Sequence, residues 1–239
     1  FSLRMLGLFM ILPVFALYAE QLRGDTPTLA GLAIGIYGFS QALCQIPFGF
    51  LSDRYGRKRM IYIGLLIFAG GSVVAALADS IYGVILGRAL QGGGAVSAAV
   101  MALAADLTRE EHRIKVMATI GVTIGVSFAA SMILGPVLNG WIGVPGIFWL
   151  TGVLALFGIA VVRFKVPDPV ESRVHCDAEP VAAQFGRVLA DGQLLRLNFG
   201  IFTLHLLLTA TFVAVPLALR NAGLPSDQHW QVYLPALLF

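Results

Sequence analysis

The sequence predicts an all-α membrane protein, a bundle of long apolar helices, and three observations predict it. Apolar residues make up 58% of the 239 and charged residues only 12%, where a soluble domain carries about 45–50% and about 25%. The apolar residues come in runs of the length that crosses a hydrocarbon core of about 30 Å. The basic residues sit in alternate connections between those runs.

The runs, in order, are Phe1–Ala19, Leu29–Leu51, Met60–Ala78, Ile81–Ala105, Val116–Leu138, Val144–Val162 and Leu197–Leu219. An eighth starts near Trp230 and is still apolar at Phe239. Each is expected to be a helix, because backbone polar groups in lipid must be satisfied within the segment. The runs are too long and too evenly apolar for barrel strands of about 10 alternating residues. The first run has no n-region or small-residue cleavage site, so it is expected to span and not to be a signal peptide. The chain lacks an initial Met and stops inside an apolar run, as expected of a piece of a longer protein.

Lys and Arg set the orientation. The second-to-third connection holds Arg54, Arg57, Lys58 and Arg59; the fourth-to-fifth holds Arg109, Arg113 and Lys115. The sixth-to-seventh holds Arg163, Lys165, Arg173, Arg187 and Arg196, while the alternate connections hold only Arg23 and Arg220. By the positive-inside rule the basic connections and the N-terminus are cytoplasmic. The pI of 9.1 therefore records topology and does not call for a nucleic-acid partner. Residues 164–196 are polar and contain Pro167, Pro169 and Pro180. They divide an N-terminal six-helix bundle, 1–163, from the start of a second bundle, 197–239. Within this linker Val181, Phe185, Val188 and Leu189 recur at helical spacing, which predicts an amphipathic helix at the cytoplasmic interface.

Enzymatic classes find no support. Cys44 and Cys176 make neither a disulfide framework nor a metal site. There is no Ser/His/Asp set, no H-E-x-x-H and no nucleotide-binding glycine loop. The chemistry lies instead in a few intramembrane polar residues. Arg88 sits about 12 Å into the fourth run at 1.5 Å per residue, near mid-bilayer. A charge there costs about 2.5–3.5 kcal/mol and usually faces a cavity. No acidic residue lies mid-span, so Arg88 must find carbonyls, Gln91, water, substrate or a group elsewhere. Arg4 lies about 24 Å from Glu20; it either snorkels to the interface or lines a cavity. His205 either carries a proton or packs with a hydrogen bond. Glu20 and Asp25 are expected to solvate the outer rim. Glycines at G-x-x-x-G spacing, Gly31/Gly35, Gly83/Gly87 and Gly121/Gly125, are expected to bring helices close.

The second loop reads Gly49-Phe50-Leu51-Ser52-Asp53-Arg54-Tyr55-Gly56-Arg57-Lys58. It resembles the major facilitator superfamily signature G-x-L-x-D-R-x-G-R-K, matched at every defined position. Arg88-Ala89-Leu90-Gln91-Gly92-Gly93-Gly94-Ala95 resembles that family's R-x-x-Q-G-x-G-A segment. Gly135-Pro136, followed by Gly140, resembles the antiporter signature G-x-x-x-G-P-x-x-G-G, with Ser131 and Asn139 in place of two glycines. The sequence is thus similar to the drug/proton antiporter group over its whole length, as helices one to seven and the start of eight in a twelve-helix plan.

The resemblance implies a fold and a set of roles. It implies proton coupling at Arg88, beside which Gln91, Arg4 and His205 are the candidates for proton coupling or a substrate cavity that the residues themselves offer. It implies a conformational latch from Gly49, Asp53, Arg54, Gly56, Arg57, Lys58 and Asp106, in which Asp53 meets a helix N-terminus of the other half. It implies a bend at Gly135, Pro136 and Gly140. The expected function is secondary active transport by alternating access: proton-coupled efflux of small amphipathic or drug-like compounds, driven by the proton gradient with no cofactor and no metal. The expected partners are the small-molecule substrate, protons and the bilayer of a bacterial inner membrane, the protein acting as a monomer. The alternatives are a symporter or uniporter for a sugar or metabolite, and a non-transporting membrane sensor.

Overall fold

The computed structural model describes residues 1–167, 186 and 190–238, and among these the chain is helical with no named strand. The elements are α1 (Ser2–Ala19), α2 (Pro27–Tyr55), α3 (Arg57–Ala76), α4 (Ile81–Gly93), α5 (Ser97–Asp106), α6 (Glu110–Lys165), α7 (Gly192–Asn221) and α8 (Trp230–Leu238). Six helical segments are long and apolar enough to cross a membrane, and they carry the seven expected spans. Apart from Gly186, the expected amphipathic helix at residues 181–189 lies outside the described residues.

Two departures from the expected spans have local causes. The fourth span is broken between α4 and α5 at residues 94–96, where three consecutive glycines weaken the helix. Spans five and six share α6, whose 56 residues would measure about 84 Å. The division falls at Gly143, with φ 67° and ψ 174°, a left-handed conformation that favours glycine. Both limbs of α6 pack against α1. On the first, the Ser131 hydroxyl donates to the Leu6 carbonyl at 3.1 Å and Gly135 abuts the Met10 carbonyl. On the second, the Thr151 hydroxyl donates to the Gly7 carbonyl at 3.2 Å.

Helix starts follow their capping residues. Thr26 caps α2 with Pro27 at the first turn, Ser80 caps α4, and Asp191 caps α7 by accepting from the Gln193 and Leu194 amides. The core has two parts. Near the basic loops, Met5, Ile61, Leu65, Phe68, Val96 and Ala155 pack together; toward the opposite end, Met10, Ile11, Phe15, Ile81, Ile147 and Phe148 do. At that far end, a backbone bridge between Arg23 and Ser80 ties the first and third connections.

The glycine contacts differ from the expected pairs. A Cβ on Gly87 would lie 2.6 Å from the Ala75 nitrogen and 2.7 Å from the Gly71 carbonyl, so α3 and α4 touch through backbone. A Cβ on Gly92 would lie 2.2 Å from the Tyr37 carbonyl of α2. Gly31, Gly35, Gly121 and Gly125 meet nothing within 4 Å, and Gly83 meets only residues of its own connection. Close approach is thus set by Gly64, Gly71, Gly87, Gly92, Gly94 and Gly135, one helix meeting another, not by a repeat within one helix.

Candidate functional site

Three polar constellations are strung along the bundle. The middle one is built around Arg88, which is 2% exposed. Its Nε donates to the Ala33 carbonyl of α2 at 3.3 Å and its Nη1 to Gln91 Oε1 at 3.0 Å. Gln91 Nε2 donates in turn to Ser72 Oγ at 2.8 Å, and that hydroxyl donates to the Phe68 carbonyl at 2.9 Å. The Arg88 guanidinium also lies 4.7 Å from the Tyr37 ring centroid, a cation–π contact that partly replaces lost hydration.

Arg4 belongs to the same constellation. It is 2% exposed and turns inward instead of snorkelling to the interface, and it lines a small cavity of about 30 Å³ with Ile61, Leu65 and Val96. Its Nη2 donates to Tyr37 Oη at 2.8 Å and to Gln41 Oε1 at 3.3 Å, and its Nη1 to Ser97 Oγ at 3.2 Å. Its guanidinium lies 5.2 Å from the Phe68 ring centroid. Tyr37 therefore stands between two buried cations, and no carboxylate joins the network among the described residues. Buried charges persist only when their hydrogen-bonding capacity is largely met; carbonyls, amides, hydroxyls and ring faces meet most of it here, and Arg4 Nε is left without a hydrogen-bond partner among the described residues. Tyr37, Gln41, Ser72 and Ser97 were not singled out from sequence. An aromatic or a lone hydroxyl in an apolar run looks like packing.

The second constellation lies at the basic loops. Gly56, with φ 96°, ends α2 and starts α3. That tight turn aims Arg57 back at the end of α2, where it pairs with Asp53 one helical turn away. Arg57 Nε donates to Asp106 Oδ2 at 3.1 Å and its Nη1 to Ser52 Oγ at 2.8 Å, while Ser52 Oγ donates to the Gly49 carbonyl at 2.7 Å. The Arg57 and Asp106 side chains are 9% and 5% exposed, and Asp53 is 37% exposed. The ends of α2, α3 and α5 are thus joined by one guanidinium, and Ser52, at an undefined motif position, is its third partner. Lys58 Nζ donates to the Val166 carbonyl at 2.6 Å, while exposed Arg54 lies over the Tyr55 ring at 5.7 Å.

The third constellation lies at the far end. Glu20, expected to be a solvated rim residue, forms a two-pronged ion pair with Arg220 of α7; Arg220 Nη2 donates to Glu20 Oε1 at 3.0 Å. The Arg220 hydrogen bond holds the Glu20 carboxyl below its ordinary range. Below it, Phe9, Phe128 and Phe212 of spans one, five and seven stack edge to face at 5.2 and 5.9 Å. Sequence reading misses this pair because 200 residues separate its members.

The remaining predicted residues fall apart from these groups. His205 is exposed and its Nδ1 bonds only to the Ile201 carbonyl of its own helix, at 2.9 Å. The backbone stays helical through Gly135 and Pro136, both buried, and Gly140 is exposed. A different histidine is buried: His229, ahead of α8, whose Nε2 bonds to the Leu224 carbonyl at 3.1 Å. No group of three or more His, Cys, Asp or Glu suited to a metal occurs among the described residues.

Comparisons with known proteins agree with this architecture. The chain is 54% identical over its full length to the inner membrane transport protein YajR of Escherichia coli, covering 52% of it. It is 32% identical over 158 residues to a triacylglyceride transporter of Mycolicibacterium smegmatis, covering 62% of this chain and 26% of that one. In structure, 99% of the chain matches 64% of the D-xylose–proton symporter with a TM-score of 0.59 at 16% identity, a likeness of fold. The chain spans about half the length of YajR. The Major Facilitator Superfamily model matches residues 1–239, and the chain is an integral membrane protein belonging to that family.

Proposed function

We propose that the protein containing these residues is a secondary active transporter working by alternating access. It exports small amphipathic compounds in exchange for protons. Two breakable charge contacts carry this proposal: Asp53–Arg57–Asp106 at the basic loops, within the first bundle, and Glu20–Arg220 at the far end, between spans one and seven. Between them lie apolar packing and the Arg4–Tyr37–Arg88 network. A carrier needs a closure on each side that opens without breaking the core. The basic loops are assigned to the cytoplasm, as charge parity requires, and the membrane is a bacterial inner membrane, by likeness to YajR. The protein acts as a monomer, with protons as the energy source and no cofactor.

Within this scheme Arg88 couples protons to substrate, through Gln91 and Tyr37, and Asp53 latches the cytoplasmic face. The full-length protein in liposomes should extrude an amphipathic dye when a proton gradient is imposed and stop when an uncoupler is added. Arg88→Ala should insert normally and lose coupled transport; wild-type rates from that variant would sink the assignment. Ser131 and Asn139 favour one second reading, a symporter or uniporter of a sugar or metabolite, because they replace two glycines of the antiporter signature. Accumulation of labelled sugar with the proton gradient, and no dye extrusion, would establish that reading instead.

A further inference from the structure

The cavity beside Arg4, about 30 Å³, has room for one water or one small ion and for no organic molecule. It lies inside the first bundle. Ile61 and Leu65 of α3, Val96 and Val100 at the start of α5, and Ala155 and Gly158 of the second limb of α6 wall it in. Arg4 is the one polar side chain in its lining among the described residues.

Three independent features of this wall favour negative charge. Arg4 is 2% exposed and its Nε has no hydrogen-bond partner, although both Nη atoms are engaged by Ser97, Tyr37 and Gln41. α5 begins at the wall without a side-chain cap, so the positive end of its dipole lies beside the cavity. Arg4 and Arg88 share Tyr37 with no carboxylate in the network among the described residues, which leaves two buried positive charges without a counter-ion. A water in the cavity could accept from Nε, but the walls offer no side-chain acceptor for its own protons, and a buried water needs two to four partners. A small anion needs only donors, and its bond to a guanidinium is the stronger kind. The approach is basic as well. Lys58 lies one turn before Ile61 on α3, and Arg163 follows the lining residue Val162 on α6, an arrangement that concentrates anions locally.

We infer that this cavity is a binding site for one small monovalent anion of the halide class, chloride being the available one, which accepts from Arg4 Nε and faces the start of α5. The anion offsets one of the two buried guanidinium charges and ties α1 to α3, α5 and α6. It belongs to the folded first bundle and not to the transported cargo, so it stands or falls apart from the transport proposal.

Bromide is the probe. Crystals of the full-length protein grown in sodium bromide should show an anomalous-scattering peak within hydrogen-bond reach of Arg4 Nε. In detergent at constant ionic strength, exchanging gluconate for bromide should raise the melting temperature saturably, by about 2 °C or more, because the anion binds the folded state alone. Gly158→Ala separates the site from the fold. Its added Cβ meets only Leu65 Cδ1, at 3.7 Å, an ordinary contact, so the chain folds while the methyl takes space from the ion. That variant should show neither peak nor shift, and Arg4→Met, which removes the donor, should lose both as well. Four results overturn the site: no anomalous peak at Arg4 Nε; a cavity holding only water or filled by other parts of the full-length chain; a melting temperature indifferent to bromide; or a Gly158→Ala variant that keeps the shift.

Discussion

Gln91 bridges a buried cation and a buried hydroxyl, so replacing it with leucine has a calculable effect. Gln91 is wholly buried and Arg88 is 2% exposed, so neither group recovers its bonds from water. Gln91→Leu removes the 3.0 Å bond from Arg88 and the 2.8 Å bond to Ser72. A hydrogen bond to a charged group contributes about 1.5–3 kcal/mol and a neutral one about 0.5–1.5 kcal/mol. Added apolar burial returns about 1 kcal/mol. The net loss of about 2 kcal/mol lowers the melting temperature by about 2–4 °C in a full-length protein about twice this length. The full-length protein in detergent, heated and then resolved by size-exclusion chromatography, reports that shift. The double variant Arg88→Met with Gln91→Leu removes charge and acceptor together and should melt higher than Gln91→Leu alone, since matched apolar partners leave nothing unpaired. A single variant melting within about 1 °C of the parent, or a double variant melting lower than the single, would refute the network's role.

Other perturbations separate other contacts. Asp106→Asn should cost about 1.5–3 kcal/mol, because Asp106 is 5% exposed against Arg57; Asp53→Asn, at a carboxylate 37% exposed, should cost about 0–1 kcal/mol, and parallel melting curves rank them. If Asp53 latches the cytoplasmic face, Asp53→Asn should also alter labelling of cysteines engineered in the outer cavity. Gly87→Ala forces a Cβ to within 2.7 Å of α3 backbone and should destabilise by about 1–3 kcal/mol, whereas Gly121→Ala, which meets nothing within 4 Å, should not lower the melting point. The Glu20 carboxyl has a lowered folded pKa, so its pairing contributes fully above the ordinary value of 4.5 and is lost as pH falls through the lowered one. Spin labels at the far ends of α1 and α7 should therefore separate on acidification well below that value. High salt should act likewise, and Glu20→Gln should abolish the acid response.

The fold was legible because burial in lipid leaves few options. Run length and charge parity placed spans one to three and seven within a few residues. The break in span four was foreshadowed by Gly92–Gly94, but glycines alone do not say whether a helix bends or stops; the contacts with Tyr37 of α2 and Gly64 of α3 decide that. The Asp53–Arg57–Asp106 cluster was legible because two members lie one turn apart and the third ends a span on the same side. Tyr37 was not, since its role comes from Arg4 and Arg88 arriving on two other helices. Nor was His229, whose burial depends on a turn, Pro225 to Gln228, that folds back on Leu224.

Gly143 reverses the chain with a single residue outside helical geometry. Ordinary loops between spans hold slack that lets neighbouring helices tilt independently. Here there is none, so a tilt of the first limb of α6 is passed on to the second, and through Ser131 and Thr151 to α1. Spans one, five and six are thus tied into one packed unit. A longer linker at Gly143 would decouple the limbs while leaving every buried contact of the bundle in place.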